Sequence, residues 1–392
     1  MPRTVKELLA EIKDTTELMV DLAYSAVFYD NEDIAEEVLQ LEDRVSELLR
    51  HIRIVSALAC RRSEEAEKIS SILQIADAAQ KISNAAGDIA ALILRGYKLS
   101  QDIVRLFLYH SEETVVRVAV PDNSQIAGKT LGEVHLHTRT GMRVIAIRRE
   151  FNWIFNPDKD TLIHKGDVLF ARGDVTAIPK FYEFVTGVKK DVLQEPKEIE
   201  LRELDTAVDM LIEMKNLSEL SVDLAYSSLL YNNFDVALEA SRIEEKIDNM
   251  KFEVERLVLD CAKKIEDFTS LIGLIELAQS SEQISDAAKE MAKVLLNKLE
   301  IPEVFKKAMR ETDDVVVMLN VKNNSPIADK TLGEAKVETS TGMHVVAVKR
   351  GAEWITKPSA STKILAGDII IAKGTREGEE ALIKLCSRPL NS

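Results

Sequence analysis

Glu17-Leu-Met-Val-Asp-Leu-Ala-Tyr-Ser25 returns as Glu219-Leu-Ser-Val-Asp-Leu-Ala-Tyr-Ser227, one substitution apart, at an offset of 202 residues. Self-similarity at a fixed offset marks a duplicated structural unit. Ile-Ser-Asn-Ala-Ala from Ile82 and Ile-Ser-Asp-Ala-Ala from Ile284 keep that offset, so the segments between them align without a gap. Further on, SQIAGKTLGE (Ser124 to Glu133) pairs with SPIADKTLGE (Ser325 to Glu334), and Thr140-Gly141-Met142 pairs with Thr341-Gly342-Met343, both at 201. The polar stretch Asp191 to Glu200, DVLQEPKEIE, holds one proline and reads as the seam. The expected division is residues 1–110 helical, 111–190 α+β, 191–200 linker, 201–309 helical and 310–392 α+β.

Periodicity assigns the two halves of each unit. Val5, Leu8, Ile12, Met19, Leu22 and Ala26 form one helical stripe, which Asp30-Asn31 interrupts. A second stripe, Ile34, Val38, Leu41, Val45, Leu48, Ile52 and Val55, reappears as Val236, Ala240, Ile243, Ile247, Met250, Val254 and Leu257. Its heptad spacing favours long helices packed at a shallow angle. A third stripe runs from Ile72 through Ile75, Ala79, Ile82, Ala86 and Ile89 to Ile93. Three antiparallel helices are therefore expected to open each unit, the two sets packing together as a pseudo-symmetric bundle. After about residue 111 the period falls to two, as in Val116 to Val120 and Val144 to Ile147. Gly141 and Gly166-Asp167 supply turns, Ser124 is a candidate helix cap near Lys129-Thr130-Leu131, and Val175 to Val185 suggests a closing helix. The fold class is α+β, in two tandem repeats.

Composition narrows the function. The 51 Lys+Arg against 66 Asp+Glu give a formal charge of -15, which repels nucleic acid and anionic membrane surfaces. Cys60, Cys261 and Cys386 are isolated and odd in number, so neither disulfides nor a zinc framework is expected. No secretory signal and no apolar run near the roughly 18 residues of a spanning helix is seen, so a cytoplasmic location is expected, with any membrane reached through a partner.

The helical parts resemble PhoU domains, whose helices carry Glu/Asp-x-x-x-Asp pairs matched here by Glu17/Asp21 and Glu219/Asp223. The β parts, with I-A-G-K-T-L-G-E, T-G-M-R-V-I-A-I-R-R, W-I and H-K-G-D-V-L-F-A-R-G in order, resemble TrkA-C domains, the ligand-sensing C-terminal half of potassium-conductance regulators. The resemblance implies a cytoplasmic, non-catalytic regulatory subunit for potassium transport, working with a membrane channel or transporter as a homodimer, with a cyclic dinucleotide such as cyclic di-AMP as a ligand. The Rossmann domain that usually precedes TrkA-C is not matched, since no G-x-G-x-x-G follows a strand, so nicotinamide or ATP is not carried over. The alternative is a PhoU-like metal-binding adaptor in phosphate or divalent-cation homeostasis.

The candidate sites follow. Glu17 and Asp21, four apart on a helix, could share a divalent cation, as could Glu219 and Asp223. By heptad position they lie off the buried stripe, and a neighbouring third helix could add Asp88 in one unit and Asp286 and Glu290 in the other. Without metal, a like-charge pair at this spacing costs about 0.2–0.5 kcal/mol, and an ordinary solvated face is the bland reading. Arg148 and Arg149, with Lys349 and Arg350 as counterparts, end a strand and could pair with a ligand phosphate or carboxylate, or simply solubilise an edge. His135 and His137 would share a strand face, but their counterparts are Lys336 and Glu338, which disfavours zinc. Trp153 and Trp354 read as core or interface anchors. No nucleophile elbow, P-loop or oriented histidine is present, so no enzymatic activity is expected.

Overall fold

A computed structural model describes residues 4–59, 62–110, 114–150, 152–155, 157–173, 175–189, 201–264, 268–312 and 315–387. The seam Asp191 to Glu200 and Cys60 lie outside them. The first unit opens with α1 (Val5–Phe28), α2 (Glu32–Ala59) and α3 (Ser63–Leu94). Thr4 starts α1 through a capping box with Glu7. At the predicted break Asp30 turns left-handed (φ +45°), and the Asn31 side-chain Oδ1 accepts from Ile34 N–H at 3.0 Å to begin α2. A short amphipathic α4 (Gln101–His110), unforeseen in the periodicity, leads into the β part.

That part comprises β1 (Thr114–Ala119), α5 (Leu131–Val134), α6 (Leu136–Thr140), β2 (Arg143–Arg149), β3 (Asn152–Phe155), β4 (Val168–Gly173) and α7 (Ile178–Thr186). The second unit repeats the order with α8 (Arg202–Tyr231), α9 (Phe234–Ala262), α10 (Thr269–Leu296), α11 (Glu303–Met309), β5 (Val315–Asn320), α12 (Val337–Thr341), β6 (Met343–Arg350), β7 (Glu353–Ile355), β8 (Ile369–Gly374) and α13 (Arg376–Ser387).

The third helices join the two units. Lys68 near the start of α3 pairs with Glu300 beyond the end of α10 at 2.8 Å, and Ser270 at the start of α10 donates to the Lys98 carbonyl. The two helices are therefore antiparallel, as a pseudo-twofold axis requires. All seven stripe residues of α3, and all but Val55 of the α2 stripe, are buried in one continuous core. The short helices cross over, α11 against α1 and α4 against α8.

Each β part is a four-stranded antiparallel sheet, ordered β1-β4-β2-β3 and β5-β8-β6-β7. Alternation splits its faces. Val116 and Val118 pack with Phe181 of α7, whereas Val115, Ala146 and Phe170 join the core of the bundle. Each sheet is thus sandwiched between its own helices and the bundle. Trp153 stacks on Phe170 at 5.1 Å between ring centroids and packs against the bundle core, an anchor as expected. Thr130, rather than Ser124, caps α5 by a capping box with Glu133, while Ser124 donates instead to the Val185 carbonyl. In the following T-L-G-E turn Gly132 N–H donates to Lys159 O at 2.8 Å, and a Cβ there would meet that oxygen at 2.8 Å, so only glycine fits. Gly333 stands in the same relation to Ala360.

Two of the strand-end guanidiniums expected to meet an incoming anion, Arg149 and Arg350, instead bind within their own module. Arg149 Nε and Nη2 each donate at 2.9 Å to buried Asp167, whose carboxylate also accepts from His164 N–H. Arg350 and buried Asp368 repeat the fork at 3.0 and 2.8 Å. Each fork clamps the G-D turn to the strand end, a bidentate geometry that lysine lacks. Arg149→Ala leaves Asp167 charged and buried, and is expected to destabilise the protein by about 3 kcal/mol in urea unfolding, with Arg149→Lys recovering only part. Unchanged stability would show that the clamp is decorative.

Candidate functional site

The repeated nonapeptide lies where the two units and both sheets meet. From Leu18 to Phe28 α1 is buried on nearly every side, because the bundle covers one face and the sheets the other. α1 and α8 face each other head to tail, so Lys13 sits 5.7 Å from the Tyr226 ring centroid and Lys215 sits 5.3 Å from that of Tyr24. Each lysine also pairs one turn on, Lys13 with Glu17 at 2.9 Å and Lys215 with Glu219 at 2.7 Å.

Two cations arrive from the sheets. Arg172 on β4 reaches Asp21 at 3.2 Å, and Lys373 on β8 reaches Asp223 at 3.0 Å and Glu17 at 3.3 Å. Lys373 therefore ties the second sheet to helices of both units. Four carboxylates face four cations, and of these side chains only Glu219, at 30%, is more than 17% exposed. Burial pushes the Asp223 carboxyl above its ordinary range, with Lys373 pulling it back. Glu219 is raised for the same first reason and lowered by Lys215.

Beside this cluster lies a cavity of about 160 Å³. Its lining includes Glu17, Asp21, Glu213, Glu219 and Asp223, the cations Arg172, Lys215 and Lys373, and Tyr24, with His344, Thr356 and Lys357 from the second β module. It is off the pseudo-axis: Lys215 and Tyr24 line it, but their counterparts Lys13 and Tyr226 do not.

The acidic pairs are thus interior, which corrects the expectation that they lie off the buried stripe. Asp88 is exposed on α3, Asp286 is half-buried, and Glu290 is held by Lys81 at 2.6 Å. None of the three enters the central cluster, and among the described residues no group of three or more His, Cys, Asp and Glu could hold a metal ion. His135 is left-handed (φ +52°) between α5 and α6, and His137 belongs to α6, so neither is on a strand. A Cβ on Gly342 would lie 3.9 Å from the His137 ring, and Lys159 approaches Glu377 at 4.0 Å, so the two β modules touch each other within one chain. Arg148 pairs at 2.6 Å with Glu37 of α2, and Lys349 pairs with Asp235 of α9 and lies 5.7 Å from the Trp354 ring centroid. These strand-end cations fasten sheet to bundle. Burial pushes the Glu37 carboxyl up to about 7, against the opposing pull of Arg148 and Arg117 and with Asp33 and Glu36 adding to the rise.

The cations of the cluster are what sequence reasoning missed. The signal was available: Lys13 and Lys215 share the 202 offset, and Arg172 and Lys373 share the 201 offset.

Residues 9–93 and 211–295 match the PhoU domain, and residues 115–186 and 316–387 match the TrkA-C domain. The chain carries PhoU and TrkA-C domains, each twice in tandem. Over 93 residues it is 33% identical to Potassium channel protein 1 of Methanocaldococcus jannaschii, covering 24% of this chain and 28% of that protein. Over 91 residues it is 29% identical to the Ktr system potassium uptake protein C of Bacillus subtilis, covering 23% and 40%. The chain therefore matches less than half the length of either relative. Among solved structures, PhoU from Pseudomonas aeruginosa superposes with a TM-score of 0.41 at 12% identity, over 75% of this chain and 96% of that one. The RCK_C domain dimer of S. agalactiae BusR in complex with c-di-AMP does so with a TM-score of 0.18 at 25% identity, over 20% and 100%. Among the described residues no helix is long and apolar enough to cross a membrane. In these terms the cavity lies between the paired PhoU domains and both TrkA-C domains.

Two outcomes follow from the buried charges. Lys373→Met leaves Glu17 and Asp223 without a shared cation and is expected to cost about 3–5 kcal/mol near neutral pH. Because the folded Asp223 carboxyl is already raised, protonation favours the fold, so that deficit should shrink as pH falls, measured by urea unfolding across pH; a pH-independent deficit would count against the account. For Glu37 the folded value lies above the ordinary 4.5, so its contribution is full below that pH and is lost as pH rises through about 7. Relative to Glu37→Gln, the wild type should lose stability between about pH 5 and about pH 8, and parallel profiles would refute it.

Proposed function

We propose that the chain is a non-catalytic regulatory subunit of cation transport, with potassium the favoured ion, in which occupancy of the central cavity biases how the TrkA-C domains sit on the PhoU bundle. The observation that carries this reading is the Lys373 bridge: one side chain of the second sheet holds helices of both units at the cavity wall. A ligand that competes for Glu17 or Asp21 acts on that bridge or on its Arg172 counterpart, and one that competes for Glu219 acts on Lys215 beside them. It can shift an equilibrium between arrangements only through such differential contacts.

The potassium assignment is supported by the similarity to a potassium channel protein and to a potassium uptake protein. The membrane partner would be a channel or transporter that reads the TrkA-C arrangement. Pairing of those domains inside one chain leaves a homodimer to form, in this reading, on another surface. The ligand site is proposed at the cavity rather than at Arg148, Arg149, Lys349 and Arg350, which are engaged with carboxylates. A cavity of about 160 Å³ is small for a cyclic dinucleotide, since pockets for drug-sized ligands span about 300–1,000 Å³. The metal-adaptor alternative would need carboxylates that here hold lysine and arginine.

The test is rubidium uptake, as a potassium surrogate, in host cells with and without the chain. Deletion should change the uptake rate or its response to external potassium severalfold, and Lys373→Met should fail to restore it at matched protein levels. Uptake indifferent to the chain would refute the proposal.

A further inference from the structure

We propose that the cavity binds a small zwitterion of the amino-acid kind, a ligand class that rests on the regulatory reading above but is tested apart from it.

The argument starts from charge. Carboxylates and cations are interleaved around the lining: Glu17, Asp21, Glu213, Glu219 and Asp223 among Arg172, Lys215, Lys357 and Lys373. A bare anion entering this space meets the carboxylates, and a bare cation meets the basic groups; either leaves a charge poorly compensated in a low-dielectric setting. A molecule carrying both signs a few ångströms apart can meet both kinds of group and adds no net charge.

Two groups orient it. Lys357, exposed on the second sheet's side of the cavity, makes no ion pair or hydrogen bond with any described residue. Asn216 also lines the cavity, and its Nδ2 is buried without a hydrogen-bond partner among the described residues. Both are donors, so they specify an acceptor such as a carboxylate. The acceptor for the opposite end is Glu219, the most open carboxylate of the cluster, with a side chain 30% exposed and Lys215 as its ion-pair partner. The ligand's ammonium competes with Lys215 for it.

Volume and asymmetry agree. About 160 Å³ holds a molecule of around ten heavy atoms, the size of a common α-amino acid, and not a dinucleotide. Where Thr356 lines this cavity, the first unit has Phe155 at the matching 201 offset, and where His344 lines it the first unit has Arg143. The second unit therefore carries the smaller side chains where space is needed.

The experiment is calorimetric titration of the full chain with glycine, L-alanine, L-glutamate and glycine betaine, against acetate, inorganic phosphate and methylammonium at equal ionic strength. At least one zwitterion should bind, with the single-charge probes at least tenfold weaker. Lys357→Ala, which breaks no contact among the described residues, should weaken binding about tenfold, the loss of one charge-assisted contact. Thr356→Phe should abolish binding while the circular dichroism and melting temperature stay native. Acetate or phosphate binding as tightly as the zwitterions, no binding by any zwitterion, or wild-type affinity in both variants would each overturn the assignment. If rubidium uptake still depends on the chain in those cases, the regulatory reading stands and only the ligand class falls.

Discussion

A lysine ammonium shared by two buried carboxylates is the constraint on which the rest of this molecule turns. Lys373 comes from a sheet, Asp223 from the helix of its own unit and Glu17 from the helix of the other. Removing three charges from water is costly, and the arrangement persists only because each charge finds an opposite one at hydrogen-bond distance. The requirement fixes the position of the second sheet over the bundle and the approach of α8 to α1. Arg172 and Asp21 hold the first sheet in the same way, but without the reach across to the other unit.

The architecture beneath this cluster is simpler. Apolar stripes on α2 and α3 make each hairpin, and the small residues Ala79 and Ala86 on α3 suit the close antiparallel pairing with α10. The sheets then bury one face on their own helices, in a core of each β module, and the other on the bundle, in the core that the two units share. An exchange of α4 and α11 between units reinforces the coupling, since each sheet is preceded by a helix that packs on the opposite hairpin.

Most of this fold was legible in the sequence, because duplication displays itself and because periods of seven and two are hard to mistake. What was misread was the side of the helix on which Glu17 and Asp21 lie. A heptad argument assigns one buried stripe, whereas Leu18 to Phe28 is apolar around its whole circumference except at Asp21 and two hydroxyl-bearing residues, the pattern of a helix covered on both sides. A pair of carboxylates suggests a metal, whereas Lys13 and Lys215, four residues before Glu17 and Glu219, already supply a cation. Arg149 and Arg350 looked like ligand groups for a related reason: their partners, Asp167 and Asp368, stand eighteen residues later in what reads as a turn. Contacts between distant residues that carry opposite charge have no periodicity, so no local pattern announces them.

His137 of one β module comes close to Gly342 of the other, and Lys159 to Glu377. Where two β modules meet as separate chains, their association is bimolecular and falls away on dilution. Here both belong to one polypeptide, and their encounter is governed by an effective concentration fixed by the covalent path between them. The encounter of the two modules is then as accessible in dilute solution as in concentrated, and is insulated from fluctuations in the abundance of the protein itself.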